Sequence, residues 1–517
     1  MSADWNLEVV ASLVLLAILV SYLTGSVNPR LPPGPKPLPL LGNLHQLPSQ
    51  HQYKVFTQWA RQYGDVFFVK IFHKPVLVVN DAKAARELME KRSSKYSDRP
   101  RTVVLSELVG MSPILFLLPY GNDWRRHRKW FQNAFQVQSA RQNFRPLQQS
   151  MVQGLLLGLV ESPHDFRAHV KRALGTAMLE IAYGHVGTDE EYVKLADMAT
   201  SEALELGGAG TTLVDFFPIL KFTPAWMSSF KRRTIEIEHL VRAAWDVPYD
   251  RVMKEIAAGH ARKSFLSSLI MEASADGNPT KIDERHLKGA GIMVYGGECE
   301  PSGTDTTVTA LMTFILAMTL HPDVCKKAQA EIDQAVGPSR LVDFDDRTSL
   351  PYFECVIKEV YRWAPPLPLG KSIEYFSTGY YHGFHIPAGS TIVPNIWAMT
   401  RNTDVYPEPD RFWPERFEHL DAKTMDEHDP AKLIFGFGRR ICPGRNLGDS
   451  SVWLAAANML STLDIRKART VAGEEITPEV NFADGVISHV APFQCDIVPR
   501  SEKAKETIAL YNPDVIM

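Results

Sequence analysis

Ten residues, FGFGRRICPG at 435–444, hold the densest chemistry in this sequence. One of only five cysteines, Cys442, sits there among three glycines and two adjacent arginines, Arg439 and Arg440. A structural cysteine behaves as a small hydrophobe and needs neither kind of neighbour. Glycines let a backbone approach another group closely, and arginines bind carboxylates or phosphates through paired hydrogen bonds. The stretch therefore reads as a cradle for a flat, anionic, non-protein group anchored by the sulfur.

Three other constellations carry polar groups at defined spacings. In KEVYR, Glu359 and Arg362 stand at i and i+3 on one helix face, and Arg416 follows in FWPERF. The same spacing also suits a solvated ion pair. WRRHR places Trp124 and Arg128 four residues apart, which also fits an amphipathic helix with a basic face. SGTDTT, residues 302–307, sets the acid Asp305 beside the alcohol Thr306, and helix N-capping is the plainer reading of such residues. HGFH at 382–385 offers two histidines, but it precedes an Ile-Pro-Ala-Gly turn and is read as turn chemistry. The sequence has no CxxC and no HExxH.

Phe435, Gly438, Arg440, Cys442 and Gly444 spell FxxGxRxCxG, and with WxxxR, the GxDTT motif, ExxR and PERF in that order the chain resembles the cytochrome P-450 family, fungal microsomal members of natural-product pathways in particular. The resemblance implies that Cys442 is the axial thiolate of haem b iron, its charge moderated by nearby backbone N–H groups. It implies that Trp124, Arg128 and Arg440 serve the haem propionates, and that Asp305 and Thr306 deliver protons during oxygen activation. Glu359, Arg362 and Arg416 would form a buried network, which is architecture and not catalysis, because buried charges must all be paired. Arg125, Arg126, Lys129, Arg439 and Arg445 would offer a basic face to an acidic electron donor, NADPH-cytochrome P-450 reductase, with NADPH and flavins acting only through that partner. Solvated surface charge is the alternative reading of that face.

The expected reaction is insertion of one oxygen atom from O2 into a lipophilic small molecule, terpenoid-like or aromatic, in secondary metabolism. The expected pocket draws on residues 103–118, the helix before Thr306, PPLPL at 365–369 and the turn at 486–489. A haem-thiolate isomerase or dehydratase, and a haem-binding protein without turnover, are the rival readings.

Two stretches depart from the family pattern. The chain reads YGGECEPSGTDTT where relatives resemble YGAGTDTT, so residues 298–302 look inserted. Five extra helical residues would advance the chain by ~7.5 Å and turn it by ~140°. The insert bulges out, shifts the upstream helix, disables the site, or reflects a wrongly joined exon. In LPLGKSIEYF, Lys371 stands near the place where relatives carry a His or Arg that holds a propionate.

The elements around these residues read as mainly α with a smaller β portion. DVFFVKIFHKPVLVVND reads as two short strands and a turn, with a helix starting near Asp81. Residues 125–365 carry helical periodicity, 380–395 return to strand, and the tail from 475 is strand and turn. Three segments are expected: an anchor at 1–29, a proline-rich strut at 30–44 and a catalytic domain at 45–517. The anchor rests on a 17-residue apolar run at 7–23, preceded by Asp4 and followed by Arg30 and Lys36. That polarity places a single-pass protein in the endoplasmic reticulum membrane with its catalytic domain in the cytosol, a cleaved signal peptide being the competitor. A net charge of -3 over 517 residues, with no basic tract, argues against nucleic acid as a partner. Five scattered cysteines argue against a disulfide scaffold.

Overall fold

The structure is a computed structural model that describes residues 30–137, 142–185, 189–207, 212–275, 280–295 and 305–510. The expected anchor and the 298–302 insert lie outside the described residues. Backbone contacts divide the chain into two compact units. One comprises the residues up to Pro100 with Leu369–Met399 and Phe437–Arg440, and the other Arg101–Pro368, Thr400–Gly436 and Ile441 onward.

The first unit holds strands β1 (Val66–Ile71), β2 (Lys74–Val79), β3 (Tyr96–Asp98), β4 (Ile373–Tyr375), β5 (Gly379–Tyr381), β6 (Phe384–Ile386) and β7 (Ser390–Pro394). Five form one sheet in the order β1-β2-β7-β4-β3, with β1 antiparallel and β7 parallel to β2. Alternation in VFFVKI buries Phe67 and Val69 together, as period-two patterning requires. Asp81 accepts from the Ala84 N–H and so starts the helix Ala82–Arg86. β5 and β6 pair as a hairpin whose turn residues, His382 and Gly383, both have positive φ.

The proline-rich strut belongs to this unit by hydrogen bonding. The Pro33 carbonyl accepts from the Phe68 N–H at 2.8 Å, and Asn43 bridges the Pro35 carbonyl and the Lys70 N–H. A Cβ on Gly34 would lie 1.9 Å from the Phe68 carbonyl oxygen, so only glycine permits this approach.

The second unit is helical around Asp305–Leu320, whose sequence DTTVTALMTFILAMTL is apolar on nearly every face and is buried from Val308 to Thr319. It packs among the helices Phe166–Tyr183, Pro351–Trp363 and Arg445–Thr462 in one hydrophobic core. No single described helix is long and apolar enough to cross a membrane. A three-stranded sheet, β10-β8-β9, is built from β8 (Leu463–Arg469), β9 (Glu475–Ile476) and β10 (Cys495–Pro499). The tail adds a helix, Glu502–Leu510, that the strand-and-turn reading omits. Its signal is Ser501, whose hydroxyl accepts from the Ala504 N–H at 3.1 Å.

Candidate active site

The cysteine loop is shaped by short backbone bonds. Gly436, at φ 78°, turns the chain so that its N–H reaches the Leu433 carbonyl, and the Cys442 N–H closes the loop on the Phe435 carbonyl at 2.8 Å. The helix Arg445–Thr462 begins three residues after Cys442, and the positive end of its dipole favours a thiolate there. The thiol borders a cavity between the helices of the second unit. Phe435, Met293, Leu174 and Ala310 give its walls a carbon surface, while Thr306 and Thr307 add hydroxyls. Pro366 and Leu367 line it as expected, whereas residues 103–118 and 486–489 do not appear among its walls. Met111, Ile114 and Phe116 instead line a separate cavity of about 440 Å³ that shares Met293 with the first.

Trp124 and Arg128 lie on the helix Asn122–Phe135, whose buried stripe is Trp124, His127, Arg128, Phe131 and Phe135. The Arg128 Nη1 donates to the Ile441 carbonyl at 2.6 Å, one residue before Cys442. Burial lowers the pKa of this guanidinium, and the nearby Cys442 opposes that shift. Trp124 packs its ring 4.9 Å from Tyr120. Of the basic neighbours, Arg126 is paired with Asp283 at 2.8 Å and with Asp123 at 3.5 Å, which removes much of its pull on a partner. Arg125 donates to Asn122 and lies over Tyr120, and Arg445 donates to the Cys442 carbonyl.

Within the first unit, the Arg440 Nε donates to the Ser97 carbonyl at 2.7 Å. Arg99, which the sequence reading passed over, donates to the carbonyls of Ser372 and Lys371. Gly438 has φ 56°, and a Cβ there would lie 1.9 Å from the Met89 carbonyl oxygen. This glycine of the loop is thus required by protein packing, where the sequence suggested approach to a non-protein group.

Asp305 is buried at the start of its helix, with its Oδ2 3.1 Å from His489 Nε2. Its neighbours Thr306 and Thr307 face the cavity. Glu359 and Arg362 are fully buried and joined by two bonds, Nε to Oε2 at 2.7 Å and Nη2 to Oε1 at 2.8 Å. Arg416 Nε adds bonds of 3.2 and 3.1 Å to the two carboxylate oxygens, and the Trp413 N–H adds one at 2.8 Å. Remaining Arg362 donors reach the carbonyls of Thr400, Pro409 and Arg411, so the buried charges are satisfied together.

His127 and His286 were not read from the sequence. They share a bond of 2.9 Å, and burial, aided by His286 and Arg126, pushes the His127 pKa down to about 3. Helix position i+3 from Trp124 was the available signal. Among the described residues no cluster of three His, Cys, Asp or Glu could hold a metal ion, and His385 bonds to Thr378.

A carbon-walled cavity with a single thiol at a helix N-terminus, under a buried polar helix start, is the arrangement of a haem-thiolate oxygenase. A family model described as Cytochrome P450 matches residues 32–494. Cytochrome P450 monooxygenase 176 of Postia placenta is 46% identical, with 97% of each chain covered. Cytochrome P450 monooxygenase 136 of the same fungus is 43% identical over 96% of this chain and 94% of its own. Cytochrome P450 monooxygenase claR of Ampulloclitocybe clavipes is 35% identical over 97% of this chain and 93% of its own. The chain belongs to the cytochrome P450 family, and it is a haem-thiolate monooxygenase with haem b as its cofactor. Such an enzyme needs a redox partner, O2 and a small-molecule substrate. The same relatives favour monooxygenation over the isomerase and no-turnover readings.

Proposed function

We propose that this enzyme is anchored to the endoplasmic reticulum membrane and oxygenates a lipophilic natural product with electrons from NADPH-cytochrome P-450 reductase. The observation that carries the reading is the cavity where the Cys442 thiol and the Thr306 hydroxyl meet carbon walls. The residues present fit haem b: a thiol for the iron, apolar walls for the macrocycle, and buried donors at Trp124 and Arg128 for its carboxylates. Bound haem supplies the oxygen-activating chemistry.

Around it, Cys442 would hold the iron, and the helix dipole favours a negative charge on its sulfur. Trp124 and Arg128 would offer donors to its carboxylates. Asp305, buried at the helix start, would take up and hand on a proton, and Thr306, whose residue lines the cavity, would place it there. Apolar walls exclude water and select a carbon-rich substrate, consistent with a terpenoid-like or aromatic molecule.

Support for the membrane comes from two apolar features. One is the run at 7–23. The other is an exposed cluster on 213–227, where Ile219, Phe222, Trp226 and Met227 are 74%, 72%, 79% and 62% exposed. Arg232, which donates to the Ala225 carbonyl, adds a positive charge beside that cluster, whereas Lys221 is paired with Glu107 at 2.7 Å.

The carbon-monoxide difference spectrum of the reduced protein tests the site, with Cys442→Ser and a deletion of 298–302 beside the native chain. A red-shifted, thiolate-type Soret band is expected in the native protein and absent from Cys442→Ser. A band seen only in the deletion would mark the insert as disabling, and a band retained in Cys442→Ser would remove Cys442 from the iron.

A further inference from the structure

Asp305 does not hang from its helix unsupported. The imidazole of His489 spans two residues one helical turn apart, with Nε2 3.1 Å from Asp305 Oδ2 and Nδ1 2.9 Å from Thr309 Oγ1. In the tautomer with Nε2–H facing the Asp305 carboxyl, Nδ1 accepts from the Thr309 hydroxyl, so one ring bridges both side chains. Positions 305 and 309 share one face of the helix, while Thr306 and Ala310 on the adjoining face line the cavity. His489 comes from a separate segment that is pinned in several places. The Ser488 N–H donates to the Pro366 carbonyl at 2.8 Å, the Ala483 N–H donates to the His489 carbonyl at 2.8 Å, and Arg167 donates to the Val490 carbonyl. Arg167 also feels the charge of Asp305, as does the carboxyl of Asp197, which burial raises. The His489 side chain keeps 25% exposure where that of Asp305 has 5%, and Thr309 is buried, so the ring reaches two buried side chains from the more open side.

We propose that His489 is the positioning residue for proton delivery: it clamps the Asp305 carboxylate at the head of the helix whose next face lines the cavity. The proposal rests on the reading of Asp305 as the proton-delivering acid. A carboxylate held at one oxygen has fewer orientations available, so its second oxygen is presented in a defined direction. Without the clamp, Asp305 remains but delivers protons less reliably, and reducing equivalents leave as hydrogen peroxide.

The full-length, haem-loaded enzyme is compared with His489→Leu, His489→Gln, Asp305→Asn and the double variant Asp305→Asn with His489→Leu. Thermal midpoints of the four test the clamp independently of turnover. The double variant is expected to melt no lower than His489→Leu alone, because the two residues share one interaction. Additive shifts would overturn the clamp, whatever Asp305→Asn does to turnover. The second measurement is the share of NADPH electrons released as peroxide, with reductase and 7-ethoxycoumarin as the probe. His489→Leu is expected to raise that share several-fold, as Asp305→Asn does, and His489→Gln, which keeps a donor and an acceptor, to recover most of the native value. An unchanged share in His489→Leu beside a raised share in Asp305→Asn would overturn the positioning role. A non-additive thermal cycle with an unchanged share in Asp305→Asn would sink the reading of Asp305 itself.

Discussion

His127 and His286 face each other across 2.9 Å, and His127 Nδ1 finds no partner among the described residues. Burial holds the His127 ring neutral in the folded chain, with a pKa of about 3 against 6.5 when exposed. The unfolded chain therefore binds the extra proton between those values, and stability falls as pH drops through that window, by up to about 1.4 kcal/mol per pH unit. Urea midpoints measured between pH 7.5 and 4.5 should decline in the native protein, and the decline should flatten in His127→Leu. The burial that lowers His286 acts in the same direction. Gly438→Ala makes a second test at this scale. Its positive φ and the 1.9 Å approach to the Met89 carbonyl should cost more than about 2 kcal/mol, read as a lower urea midpoint. The sequence marked Gly438 as special, but not what it touches. Its partner lies hundreds of residues earlier in the chain, where no local pattern can point.

Strands and helices were legible where one period dominates. The alternation in VFFVKI and the stripe from Trp124 to Phe135 each specify a face, and the chain folds on that face. The helix Glu502–Leu510 was missed because its buried residues, Ala504, Thr507 and Ile508, are few and partly polar. Spacing alone put Glu359 and Arg362 on one turn, but it could not supply the carbonyls of Thr400, Pro409 and Arg411 that complete the shell. Glu359→Gln would leave two guanidinium groups buried against a neutral amide. A loss of about 3–5 kcal/mol is expected, enough to reduce the yield of folded, haem-loaded protein severalfold by its absorption spectrum. His489 shows the opposite limit. The sequence placed it in a pocket-lining turn, and only the fold revealed that it faces the Asp305 side of the helix.

For the molecule as a whole, the exposed cluster at 213–227 gives the proposed membrane contact a part that survives loss of the amino terminus. A chain lacking residues 1–29 should still bind vesicles of mixed neutral and anionic phospholipid, as judged by co-sedimentation. Replacing Phe222 and Trp226 together by serine in that chain should release most of it to the supernatant. Release by salt alone would show that charge, rather than apolar contact, does the holding. The Glu359 network has a longer reach than stability. Glu359 is the shared counter-charge of Arg362 and Arg416, so replacing it leaves two buried guanidinium groups unmatched, and replacing either arginine strips the carboxylate of donors it relies on. A lineage can change the cavity walls one residue at a time, whereas this triad can be left only by several coordinated changes. Diversity of chemistry and constancy of frame follow from that asymmetry in accessible mutational paths.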